Sequence, residues 1–290
     1  MTVARDGSGD FGSIGEALRA ADALAPGRVR ISVGPGEWRE KLRIMRPGLE
    51  LTGAGADSTR ILWNDHATRL LPDGNPMGTF NSYTLYVGAQ GVRLSDLSVL
   101  NDAGDGRVVG QAVALYADAD RFEAERCCLS GRQDTLLTGP LPKNPPPAGT
   151  NLIHPVAGLG DDEPRLPFRM IFRGCLIEGD VDFIFGSAAA LFDDCLIRSR
   201  SRGDEPGWIA APSTYPGQTA GFVFRHCRLV SEPGCGPVFL ARPWRITGRA
   251  VYIDCEMGSH ITPGNAGEAW LPSPDRDAAE AINQILRNAD

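Results

Sequence analysis

An all-β solenoid, a parallel β-helix, is the fold this sequence predicts, on three observations. Helical periodicity nearly vanishes after Val29. Short apolar runs replace it at Val29 to Val33, Leu49 to Gly53, Leu85 to Val87, Val92 to Leu100 and Ala112 to Leu115, with Gly, Asn or Asp between most of them. The 290 residues include 35 glycines and 22 prolines, which favours many short strands and turns over long helices. One pattern also repeats. Phe172-Arg-Gly-Cys175-Leu-Ile177 returns as Phe192-Asp-Asp-Cys195-Leu-Ile197, Phe224-Arg-His-Cys227-Arg-Leu229 and Tyr252-Ile-Asp-Cys255-Glu-Met257, with a weaker copy at Ala124-Glu-Arg-Cys127-Cys-Leu129. Short strands alone allow a sandwich or a barrel. A repeat at intervals of roughly 20 to 50 residues selects coils that bury their inner faces on one another.

The elements follow in order. Val3 to Phe11 reads as a strand and a Gly-rich turn. Ser13 then caps a helix running through Leu24, with Ile14, Ala17, Leu18 and Ala21 on one face and Glu16 at the third helical position. The Gly-rich turn has no Walker lysine after it and is taken as structural. The repeat cysteines are expected to point inward as a ladder of small apolar side chains, mostly reduced. A redox or metal role is disfavoured, since the seven cysteines form no C-x-x-C pair. Residues 140–167 hold eight prolines and cannot pair as central strand, so they read as an inserted loop that walls a cleft. Arg276 to Leu286 is expected to form a short terminal helix beside the stack.

The bulk numbers exclude several classes. The net charge is −7 and no basic stripe occurs, so nucleic acid is not an expected partner. No stretch is long enough to span a membrane. Arg5 and Asp6 precede any apolar run, so no signal peptide is read. That implies the cytoplasm if the chain is complete, or secretion if it is trimmed.

Polar side chains inside apolar strands carry the functional reading. Asp182 sits within Val181-Asp-Phe-Ile-Phe185, where a lone carboxylate is costly unless paired or hydrogen-bonded. Its alternative is a structural Asp in a turn or ion pair. Gln111 opens Gln111-Ala-Val-Ala-Leu115, Gln133 and Asp134 lie side by side, and Arg242 and Trp244 flank a proline. Each alone suits ordinary packing. Together they form a chemical set: two carboxylates can divide nucleophile and acid/base roles if their environments differ. An arginine can hold one of them, and two amides can donate to a developing oxyanion. Trp244 offers a flat face to a sugar ring. No G-x-S-x-G and no H-E-x-x-H occurs, which disfavours a serine or zinc hydrolase. No metal or other cofactor is called for.

The chain resembles the pectin methylesterases (pectinesterases). The markers are Asp6-Gly-Ser-Gly-Asp-Phe11, Gly36-Glu-Trp-Arg-Glu40, Gln111-Ala-Val-Ala-Leu115, Gln133-Asp-Thr-Leu136, Gly179-Asp-Val-Asp-Phe-Ile-Phe-Gly186 and Arg242-Pro-Trp244, in order along nearly the whole chain. The resemblance implies a single domain over residues 1–290, folded as a right-handed parallel β-helix of the pectin-lyase-like kind. It implies an aspartyl esterase that demethylates pectin or methyl-esterified oligogalacturonide, acting as a monomer. By it Asp182 matches the nucleophile, Asp134 the general acid then base, and Gln111 and Gln133 the oxyanion donors. Arg242 matches the arginine that holds the nucleophile. Trp244, Thr247, Val181 and Phe185 match sugar-contacting positions, and Thr84 a threonine at the cleft floor. The sequence departs from the family pattern at Trp38, Leu137, Ala241 and near Trp270, which touches substrate preference more than reaction type. The competing readings are a β-helix glycosidase or lyase, a non-catalytic carbohydrate-binding helix, and an esterase for a non-pectin ester.

Overall fold

The computed structural model describes residues 1–140, 168–215, 218–244 and 247–262. Nearly all of the Pro-rich segment and the expected helix from Arg276 to Leu286 lie outside these residues. The described chain is a parallel β-helix. Its strands pair in parallel in three sheets of nine, eight and seven strands. Each coil visits the sheets in turn: Arg169–Arg173 belongs to the nine-stranded sheet, Leu176–Gly179 to the eight-stranded, and Val181–Gly186 to the seven-stranded.

The repeat maps onto this geometry directly. Its aromatic positions pair in register, Phe172 with Phe192, Phe192 with Phe224, and Phe224 with Tyr252. Their rings stack with centroids 4.8, 4.6 and 4.4 Å apart, close to the spacing of the strands that carry them. The cysteines form the next column. Cys127, Cys175, Cys195 and Cys227 are buried, Cys255 is half-buried against the core, and all are free thiols. Each of the last four points its Sγ at a carbonyl of the preceding coil, at 3.5, 3.4, 3.3 and 3.5 Å.

The residue before each cysteine explains the sharp corner between the nine- and eight-stranded sheets. Arg126, Gly174, Asp194, His226 and Asp254 all have φ between 49° and 57°, and Asp96 has φ 55° before Leu97. One left-handed residue turns the chain there, and its N–H donates to the next coil, as from Asp194 to the Arg225 carbonyl at 3.0 Å. Asn and Asp tolerate this conformation best among residues with a side chain.

The N-terminal helix covers Ile14–Asp22, two residues shorter than its sequence suggests. Ser13 caps it, accepting from the Glu16 N–H at 3.2 Å. Glu40 adds a second anionic cap, accepting from the N–H groups of Ile14 and Gly15 at 2.9 and 2.8 Å. The Arg46 guanidinium binds the other end, donating to the carbonyls of Ala21 and Leu24. The helix thus closes the first coils over Ile14, Ala17, Leu18 and Ala21.

Removing the central ring of the aromatic ladder should open a cavity that neighbouring coils cannot close. Phe192→Ala is expected to lower the unfolding free energy by about 3–5 kcal/mol, read from the midpoint of urea unfolding.

Candidate active site

The outer face of the seven-stranded sheet carries a second apolar cluster, including Phe80, Tyr86, Tyr116, Leu137 and Phe185, with Trp244 packed against it. On this face lies a cleft of about 320 Å³. Gln111, Gln133, Asp134, Asp182 and Arg242 all line it, although they span more than 130 residues of sequence. Thr79, Phe80, Phe185, Ala211, Pro243 and Trp244 complete the wall.

Strand stacking brings the polar groups together. Gln111 precedes the strand Leu115–Ala117, and Asp134 precedes Leu136–Thr138, which pairs with it in register. Asp182 lies inside the next strand, and Arg242 follows Val238–Ala241 two strands further on. Backbone bonds fix the offsets: the Ala112 N–H donates to the Gln133 carbonyl at 3.1 Å, and the Asp134 N–H to the Val181 carbonyl at 3.0 Å.

Both carboxylates stand on left-handed backbone, Asp134 at φ 67° and Asp182 at φ 49°. At Asp182 the reason is a bulge, since the register with Gly207–Pro212 shifts between Val181 and Ile184. The extra residue resolves the continuous apolar run seen in the sequence. Phe183 and Ile184 both enter the main core, Phe185 joins the outer cluster, and Asp182 turns toward the cleft. Glycines bracket the strand because nothing larger fits. A Cβ at Gly179 would sit 2.3 Å from that of Phe183, and one at Gly186 would sit 2.0 Å from the Thr138 carbonyl oxygen.

The two carboxylates have different surroundings. Arg242 grips Asp182 in a fork, Nε to Oδ1 at 2.8 Å and Nη2 to Oδ2 at 2.6 Å. The same bonds raise the pKa of the guanidinium, which stays cationic. Asp134 is 7% exposed. Burial pushes its pKa well above the ordinary carboxylate value, the Asp182 charge pushes it further, and Arg242 offsets part of the rise.

Three sequence candidates are not among the described residues that line the cleft. Thr84 is wholly buried, and its hydroxyl donates to the Leu100 carbonyl at 2.8 Å. Val181 is buried, in register with Trp208. Thr247 donates to the Thr214 carbonyl at 2.5 Å. Phe185 and Trp244 do meet at the cleft, rings tilted by 58° with centroids 5.9 Å apart.

Sequence reading missed two residues beside the site. Trp208 lies under the Arg242 guanidinium, 4.2 Å from Cζ to the ring centroid. Asp180 is 1% exposed, with Arg202 and Arg132 Nη1 atoms 3.7 and 3.8 Å from its oxygens. Burial raises its pKa and the two arginines pull it down. A second carboxylate two residues before Asp182, in the same apolar stretch, was the available signal.

The pectinesterase family profile matches residues 1–140 and 165–281, which include every polar residue of this cleft. The chain belongs to the pectinesterase family. Among its relatives, probable pectinesterase 56 of Arabidopsis thaliana is 32% identical over 94% of this chain and 84% of its own length. Pectinesterase 2 of Citrus sinensis is 30% identical over 91% of this chain but 46% of its own. This pectinesterase-family chain thus spans less than half the length of several curated plant relatives. Solved pectin methylesterases from Erwinia chrysanthemi and carrot superpose with TM-scores of 0.75 and 0.72, at 27% and 29% identity. They cover 90% and 96% of this chain, and 79% and 78% of their own chains.

The raised Asp134 pKa has a consequence for stability. The folded state binds this proton more tightly than the unfolded chain, whose value is near 3.8. The stabilising contribution is therefore complete below that pH and is lost as pH rises through the raised folded value. Asp134→Asn stays neutral throughout. It should raise the melting temperature at pH 7 and change it little at pH 4, as measured by calorimetry.

Proposed function

We propose that this chain hydrolyses the methyl esters of galacturonan, giving pectate and methanol, with Asp182 as nucleophile. The observation that carries the reading is the pairing, in one cleft, of a buried carboxyl biased toward its neutral form with a carboxylate forked by arginine. A related pectin methylesterase was crystallised with a hexasaccharide, which supports an oligosaccharide-sized ligand. The apolar wall of Phe80, Phe185 and Trp244 suits the faces of sugar rings.

In this mechanism an Asp182 oxygen attacks the C6 carbonyl carbon of the ester, and the carbonyl π electrons move onto its oxygen. The Gln111 and Gln133 amides donate to that oxyanion. As the tetrahedral intermediate collapses, the C–O bond to methoxide breaks, and neutral Asp134 supplies the proton that makes methanol. An anhydride joins Asp182 to the sugar carboxyl. Water then attacks its sugar carbonyl and gives a proton to the Asp134 carboxylate. Collapse frees the Asp182 carboxylate and the galacturonic acid, which releases its carboxyl proton to solvent as galacturonate. Arg242 stays cationic and keeps Asp182 aimed.

Methanol release from highly esterified pectin by the purified chain tests the reading. Reducing ends or unsaturated products without methanol would instead mean a glycosidase or lyase. Asp182→Ala should abolish turnover in a folded protein. Gln111→Ala and Gln133→Ala should each lower kcat by about 10²–10³. Because Asp134 must begin each cycle protonated, kcat/KM should fall as pH rises through its raised pKa. A profile with no such falling limb would remove Asp134 from the acid role.

A further inference from the structure

Arg242 and Asp182 do not lie on adjacent strands. The strand Gly207–Pro212 runs between the one holding Asp182 and the one preceding Arg242. Reaching Asp182 means crossing two inter-strand spacings, roughly 9–10 Å. An arginine is long enough, but a side chain so extended has many rotamers, and this one is 40% exposed. Something must keep it lying down along the sheet.

Trp208 stands on that intervening strand. It pairs in register with Val181, beside Asp182, and with Phe239 on the other side. Its indole stacks against the Phe239 ring, with centroids 5.7 Å apart and planes inclined by 26°. The Arg242 guanidinium lies over the same indole, 4.2 Å from Cζ to the ring centroid, while its fork closes on Asp182. The indole face is the strongest of the aromatic platforms for a cation. The face that Arg242 covers is closed to a sugar ring, which separates Trp208 from Phe185 and Trp244.

We propose that Trp208 is a positioning residue, an aromatic platform that holds Arg242 across the intervening strand so that its fork keeps Asp182 aimed. The inference rests on the assignment of Asp182 as nucleophile. Trp208 touches no reacting atom; it acts through Arg242. Phe239 supports the platform from the neighbouring coil.

The test compares Trp208→Leu, Trp208→Met and Trp208→Phe with the unaltered protein in methanol release. The platform predicts a fall in kcat of roughly 2- to 30-fold for the Leu and Met variants, with KM within about twofold. Trp208→Phe keeps a ring and should recover most of the loss. The Met variant preserves apolar bulk and carries the test if the Leu variant does not fold. An unchanged kcat in the aliphatic variants overturns the proposal. So does a rise in KM alone, which would make Trp208 a sugar contact, or a loss that Phe does not repair. Asp182→Ala is assayed alongside: if it keeps turnover, the nucleophile assignment has failed, whereas inactive Asp182→Ala beside fully active Trp208→Leu refutes the platform alone.

Discussion

Parallel strands stacked in register, at the fixed spacing that main-chain hydrogen bonding demands, govern everything else here. Once one coil is placed, the next has no freedom of register, because each sheet face is buried on one side. Phe172, Phe192, Phe224 and Tyr252 must then lie ring on ring. The same rule assembles the cleft. Gln111, the Gln133–Asp134 pair and Asp182 are distant from one another in sequence yet lie on, or just ahead of, three neighbouring strands, so convergence requires no long-range loop folding.

Against this rigid frame, the candidate site lies where the regular pattern is interrupted. The bulge at Asp182 and the left-handed backbone at Asp134 aim two carboxylates at one space. Their electrostatics then diverge, since one meets a guanidinium fork and the other meets desolvation and a neighbouring negative charge. Asp180 continues the theme beside the cleft, where a buried carboxylate faces Arg132 and Arg202, with no hydrogen bonds to its oxygens among the described residues.

Much of this was legible in the sequence, and the limits are physical. The solenoid was readable because each coil repeats the same side-chain demand, aromatic then cysteine, at the same corner. The polar set was readable because each member interrupts an apolar run. Family resemblance supplied roles for Asp182 and Asp134 that periodicity alone did not. Thr84 illustrates a harder case: its hydroxyl turns into the backbone of the following coil, and nothing local distinguishes that from facing the cleft. Trp208 was missed because its partner is remote. Aligning coils strand by strand would have set it beside Val181, but its use by Arg242 depends on the path of one long side chain.

The single left-handed residue at one corner has a wider consequence. From Asp96 onward the turn from the nine-stranded to the eight-stranded sheet is held to the same length in every coil. The other two corners obey no such rule: Gly179 and Val181 are separated by one residue, whereas thirteen lie between Asn101 and Leu115. The seven-stranded sheet is the one bordered by both variable edges. The solenoid is thus built with an invariant spine and a mutable front. Selection can lengthen, shorten or rebuild the margins of the cleft, altering its shape, without renegotiating a contact in the aromatic ladder.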